Sequence, residues 1–357
     1  MSAPFLVKDI YPGSNSSLDS YYPLPITAVG NTLYFVANDG VNGYELWKSD
    51  STAAGTTLLK DILPGSGFPY TSPSSPVALG NTLYFTADDG VNGRELWKSD
   101  GTTAGTTLFK DIYTGSNFGF PNTSYPSNLT VVGNTLYFNA NNGVNGRELW
   151  KSDGTAAGTT LVKDIYPGFG SSFDWGGGTV TVVGNTLYFA ADDGVNGREL
   201  WKSDGTAAGT TLVKDIYTGS SFGFPNGSFP TNLTAVGNTL YFRAYDEVNG
   251  SELWKSDGTA AGTTLVKDIN PGVNSSSPGY LTAVGNTLYF QAYDGVNGVE
   301  LWKSDGTAAG TTLVKDILPG ASSSFPQNLT AVGNTLYFMA NDGVNGYELW
   351  ALNTVGG

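Results

Sequence analysis

The side chains that carry most proton-transfer and acyl-transfer chemistry are missing: the 357-residue sequence contains no histidine and no cysteine. Ser-His-Asp and Cys-His catalysis are thereby excluded, along with the usual zinc sites. Carboxylates remain. A glycosidase-type pair needs two acids at a fixed separation, and the acids that stand outside the repeated slots are Asp19, Asp174 and Glu247, in well-separated repeats. Arg94, Arg147 and Arg198 share one slot in three successive repeats and invite a carboxylate clasp. Two strand spacings out from a central channel, at about 4.8 Å per strand, such neighbours would stand roughly 14 Å apart, too far to hold one carboxylate. The chain is expected not to be an enzyme.

Recognition is the chemistry left. Aromatic residues gather in stretches rich in Ser, Asn, Gly and Pro: Phe118 and Phe120 with Tyr125, Phe222 and Phe224 with Phe229, and Trp175, the one tryptophan outside the repeat pattern. A flat ring beside amide and hydroxyl groups suits the C–H faces and hydroxyls of a sugar; the same rings also suit plugs between sheets. A second candidate is calcium, through Asp39, Asp89, Asp193, Asp294 and Asp342, each in an Asp-Gly-Val-Asn turn with a Glu soon after. Closely spaced oxygens attract that ion, whereas Asp-Gly and Asn-Gly are equally plain turn formers. The third repeat has Asn141-Asn142 there and supplies no aspartate. No other cofactor is expected. Asp50, Asp100, Asp153, Asp204, Asp257 and Asp305 read as caps of their own turns, and the Glu of each Glu-Leu-Trp as framework, since a catalytic acid does not come in seven equal copies.

The elements that position these residues follow from an internal repeat. Gly-Asn-Thr-Leu-Tyr-Phe starts at Gly30, Gly80, Gly133, Gly184, Gly237, Gly285 and Gly333, and each copy is followed by Glu-Leu-Trp, with the tryptophans 48 to 53 residues apart. Repeats of that length are typical of propeller blades. In the sixth unit, residues 281–284 and 287–292 read as strands joined by the tight turn Gly285-Asn286. A third strand begins at Glu300, and 311–317 forms a fourth. Alternating large side chains make both faces apolar, as a sheet packed between two others requires. The expected fold is all-β: a seven-bladed β-propeller of four-stranded antiparallel blades spanning 1–357 as one domain. Lys-Asp-Ile occurs first at Lys8, before any other motif, and is absent after Trp350. Residues 4–10 are therefore expected to complete the blade formed by 327–352 and close the ring.

These residues also resemble a bacterial repeat family with the signature Glu-Leu-Trp-x-x-Asp-Gly-Thr-x-x-Gly-Thr, found in tandem in large secreted or cell-surface proteins. Glu300-Leu301-Trp302, Asp305-Gly306-Thr307 and Gly310-Thr311 carry the signature, Ser51 replaces its first glycine in the first unit, and the seventh unit stops short of it after Trp350. The resemblance covers nearly the whole chain and implies an extracellular or cell-surface setting, although no signal peptide precedes the first strand. It implies little about ligand.

Net charge is −14, and all 13 lysines fall in the repeated Trp-Lys and Lys-Asp slots, so no basic stripe forms. Nucleic acid is not expected as a partner, nor is membrane insertion, since no apolar run is long enough. Strand alternation puts the variable loops and the Asp-Gly turns on one face and the invariant Gly-Asn and Asp-Gly-Thr turns on the other. A glycan or cell-surface ligand is expected on the variable face of a monomer. The alternative is a spacer module of a large adhesin-like protein that binds nothing small.

Overall fold

A computed structural model of the protein describes residues 3–18, 26–65, 72–173 and 180–354. Among these there is no helix; the strands form six four-stranded sheets, one three-stranded sheet and two small hairpins, all antiparallel and in chain order. The chain divides into two compact units, Met1–Gly177 and Gly178–Gly357.

The sixth sheet shows why the sequence folds this way. Its strands are Gly279–Val284, Thr287–Tyr293, Val299–Ser304 and Thr312–Lys315. Val284 pairs with Thr287 across the Gly285-Asn286 turn, and Gly285 has a φ of 59°, the left-handed conformation that glycine adopts without a Cβ clash. The first strand starts two residues earlier than expected, through a bulge between Gly279 and Thr282. The fourth strand stops at Lys315 because the chain then turns inward, where the Ile317 amide donates to Glu300 Oε2 (2.9 Å).

Within each unit, neighbouring sheets bury their facing side chains. Tyr84, Leu96 and Phe109 of the second sheet pack on Leu136, Phe138 and Trp150 of the third; Tyr241, Leu253 and Val266 of the fifth pack on Leu288, Phe290 and Trp302 of the sixth. Leu253 and Trp254 belong to different clusters, since successive strand residues face opposite ways. Lysines bolt sheet to sheet: Lys60 Nζ donates to Thr106 O (2.7 Å) and lies 5.8 Å from the Trp97 ring, a cation on an aromatic face. Asp100 Oδ1 accepts from both the amide and hydroxyl of Thr102, whose Oγ1 accepts from the Gly105 amide. A Cβ on Gly105 would stand 2.0 Å from the Asp100 carboxylate, so Asp-Gly-Thr-x-x-Gly is a turn that caps itself.

The end sheets depart from this packing. In the second unit the last sheet has three strands, Gln327–Val332, Thr335–Asn341 and Tyr347–Asn353. Its Leu349 is 72% exposed where Leu200 and Leu253 are 0%. In the first unit Leu33 is 39% exposed where its counterparts Leu83 and Leu136 are sealed. Residues 3–10 join no strand, yet Lys8 Nζ donates to Thr56 O (2.7 Å) and lies 5.9 Å from the Trp47 ring. That repeats the relation of Lys60 to Thr106 and Trp97.

Candidate functional site

The loops that lead into the third and fifth sheets are pinned by the glutamates of Glu-Leu-Trp. Glu95 accepts from the Ile112 amide (2.9 Å), the Ser124 amide (2.7 Å) and the Ser124 hydroxyl (2.5 Å). The Tyr125 amide donates to Arg94 O, and the Asn141 amide to Ser124 O. Glu199, in the second unit, accepts from the amides of Tyr217 and Ser228 and from the Ser228 hydroxyl, while the Phe229 amide donates to Arg198 O. These bonds tie each loop to the start of one sheet's third strand and the end of the next sheet's second strand. The variable loops and the Asp-Gly turns therefore share one end of the sheets. Burial pushes Glu95 and Glu199 up to about 7, against the pull of their donors. The expected framework role is what these contacts describe.

Each loop carries a small hairpin, Ser116–Asn117 with Phe120–Pro121 and Ser220–Ser221 with Phe224–Pro225. Its two-residue turn is Phe118-Gly119 (φ 52° and 85°) or Phe222-Gly223 (52° and 86°). Tyr125, Phe229 and Phe325 also hold positive φ, at 46°, 48° and 46°. A bulky side chain in the left-handed region costs roughly 1–2 kcal/mol. Burial does not compensate at the tips, because Phe118 is 94% exposed and Phe222 fully so.

A cleft opens beside each loop. In the first unit it has a volume of about 330 Å³ and is lined by Tyr113, Tyr125, Asn141, Arg147 and Phe173, among others. In the second it has about 550 Å³ and is lined by Tyr217, Phe224, Phe229, Tyr245 and Ser251, with Asn226. Of the expected ligand residues, the clefts gather Tyr125, Phe224 and Phe229. Phe118 and Phe222 stand at the hairpin tips instead, and Phe120, on the second strand of its hairpin, is not among the lining of the first cleft. Trp175 lies outside the described residues, as do Asp19 and Asp174. Tyr113, Tyr217 and Tyr245 belong to the clefts although they were not among the expected ligand residues, and Asn141, read from the sequence only as part of a turn, lines the first cleft. Their signal was position: Tyr113 and Tyr217 directly follow Lys-Asp-Ile, and Tyr245, like Tyr293, stands where the other five turns carry Asp or Asn.

The turn aspartates spend their oxygens locally. Asp89 Oδ1 accepts from the amides of Val91 and Asn92, and Oδ2 from the Asn92 side chain; Asp39, Asp193, Asp294 and Asp342 repeat the arrangement. Asn142 makes the same turn with its amide oxygen, so the turn does not require a carboxylate. Among the described residues no three Asp or Glu converge in a way that could hold a metal ion.

No family model matches the chain, and no curated protein does. Solved structures resemble it at low identity. A puromycin hydrolase aligns over 97% of this chain and 53% of its own, with 14% identity and a TM-score of 0.46. A puromycin-hydrolyzing peptidase of Mycobacterium tuberculosis aligns over 97% and 54%, with 11% identity and 0.47. BamB from Moraxella catarrhalis aligns over 95% and 84%, with 15% identity and 0.43. The chain thus spans about half the length of the hydrolases it resembles.

Proposed function

We propose that this protein is a non-enzymatic binding module that recognises glycans at the aromatic clefts, on an extracellular or cell-surface protein. The observation that carries this reading is the set of strained, exposed aromatics. Phe118, Tyr125, Phe222 and Phe229 hold positive φ and remain open to solvent, so their aromatic character is not explained by packing. Tyr125 and Phe229 share their clefts with the amides and hydroxyls of Asn141, Asn226 and Ser251, the mixture that a sugar ring demands. Two loops of this kind favour weak sites strengthened by multivalent presentation. A glycan array, followed by Phe224→Ser on any hit, tests the reading. Silence on every glycan would instead favour the spacer role, which the uniform lysine bolts and self-capped turns also suit.

The same proposal includes a closed seven-bladed ring in which residues 4–10 complete the blade of residues 327–352. In its support, Leu349 and Leu33 are left exposed, each on an end sheet, although their counterparts are buried, and Lys8 already holds the position that a fourth-strand lysine takes on the following sheet. Closure would give each exposed leucine the burial its counterparts have.

A further inference from the structure

We infer that the loop end of each unit is a docking surface for a basic, apolar polypeptide, whose apolar side chains meet the Phe tips and the turn valines and whose cations meet the turn aspartates. The surface is made by the tips and not by the clefts, so it stands whether or not the clefts take sugar.

All seven turns between second and third strands carry valine. The turn uses only its amide: Val91 N donates to Asp89 Oδ1 (2.9 Å), while the side chain is 75% exposed. Val195 repeats both features beside Asp193. Valine persists where its neighbours change, to Asn142 two residues before Val144 and to Glu247 directly before Val248, so turn geometry does not account for it. The Phe118 and Phe222 tips stand beside these turns. Asn122 braces the first hairpin, its amide donating to Gly115 O and its Nδ2 to Thr114 O, both at 2.9 Å. Its carbonyl fills the space where a Cβ of Gly93, in the Val91 turn, would stand. Asn226 has the same relations to Gly219, Thr218 and Gly197 in the second unit. Exposed apolar side chains clustered on braced loops mark a contact surface. Away from the N-terminal segment and the two end sheets, the opposite end exposes no large apolar side chain among the described residues.

Charge is sorted the same way. Lysines are drawn to the opposite end, where Lys48 and Lys60 donate to Gly101 O and Thr106 O, and Lys202 and Lys214 to Gly258 O and Thr263 O. At the loop end, arginines are committed to their own loops, as Arg94 is to Ser72 and Ser74 and Arg147 to Tyr125 and Ser127. Asp89 and Asp193 stay ionised there, since each accepts backbone donors that favour the carboxylate. An anionic, apolar surface selects a cationic, apolar partner and repels anionic lipid. A second copy fits poorly, because its loop end carries the same charge and its other end lacks the apolar side chains.

Isothermal titration of the full chain with three synthetic peptides of equal length, made of Leu and Lys, Ser and Lys, or Leu and Glu, tests this. The Leu-Lys peptide should bind, less tightly as salt rises, and the other two at least about tenfold more weakly. Phe118→Asn and Phe222→Asn combined with Val91→Thr and Val195→Thr should weaken Leu-Lys binding about tenfold. Asp89→Asn with Asp193→Asn keeps the turns, as Asn142 shows, and should flatten the salt dependence. Equal binding of the Ser-Lys peptide would reduce the effect to net charge, and equal binding of the Leu-Glu peptide would remove the preference for cations. Binding to phosphatidylcholine vesicles, or self-association, that the Phe and Val substitutions abolish would give the surface to lipid or to a second copy. Each of these results overturns the inference, as does a Leu-Lys peptide that does not bind or whose binding ignores both sets of substitutions.

Discussion

Glu199→Gln should make the protein more stable than wild type at pH 8 and leave it nearly unchanged at pH 5. Glu199 is fully buried, and burial raises its pKa to about 7 from 4.5. The folded state therefore keeps a proton that the unfolded chain has released. Native protein binds more protons than unfolded protein across this window, so stability falls as pH rises. The contribution is complete below about pH 4.5, declines between 4.5 and 7, and is gone above. At 1.36 kcal/mol per pKa unit the swing amounts to about 3 kcal/mol for this one group. Glutamine imitates the protonated acid: Oε1 keeps the Tyr217 and Ser228 amides as donors, and the Ser228 hydroxyl, which donates to the carboxylate, turns to accept from Nε2. The wild-type trend alone would not be diagnostic, because a net charge of −14 also makes the folded state repel itself more as pH rises. The difference between variant and wild type is. Urea unfolding at both pH values, read by tryptophan fluorescence, gives that difference from the midpoints. If Glu199→Gln is less stable than wild type at pH 8 by more than at pH 5, the carboxylate is ionised in the fold and its three donors outweigh desolvation.

Phe118→Asn should stabilise the chain by about 1 kcal/mol, since asparagine tolerates left-handed φ at a hairpin tip; a loss of more than that in a melting experiment would mean that the ring packs on something. Trp201→Ala should cost about 3–5 kcal/mol, the range for truncating a buried large aromatic, and emission of the wild type at the wavelength of solvated indole would contradict its burial. Deleting residues 1–10 removes the Lys8 bolt to Thr56 and Trp47 and the strand proposed to close the ring, so the melting temperature should drop sharply. An unchanged value would rule out closure by that segment.

Local chemistry was legible in the sequence. The Gly-Asn turns, the alternation of Tyr289 against Leu288 and Phe290, and the self-capping of Asp100 by Thr102 are decided by neighbours a few residues apart, and they recur in unit after unit. The framework role of the Glu-Leu-Trp glutamates was expected from their repetition, but not their partners. Glu95 reaches Ser124 in the next repeat, a contact that no local spacing encodes. Tertiary structure alone decided the clefts. Residues after Lys-Asp-Ile, at the end of a second strand and at the start of a third converge only when two sheets stack and one loop is pinned between them, which brings Tyr113, Asn141 and Arg147 to one wall. The aromatic loops were recognisable as unusual, yet their composition did not say which rings would line a cleft and which would stand out. The two-residue turn sends Phe118 and Phe222 to exposed tips, while Phe224 lines a cleft and Phe120, at the same hairpin position, does not.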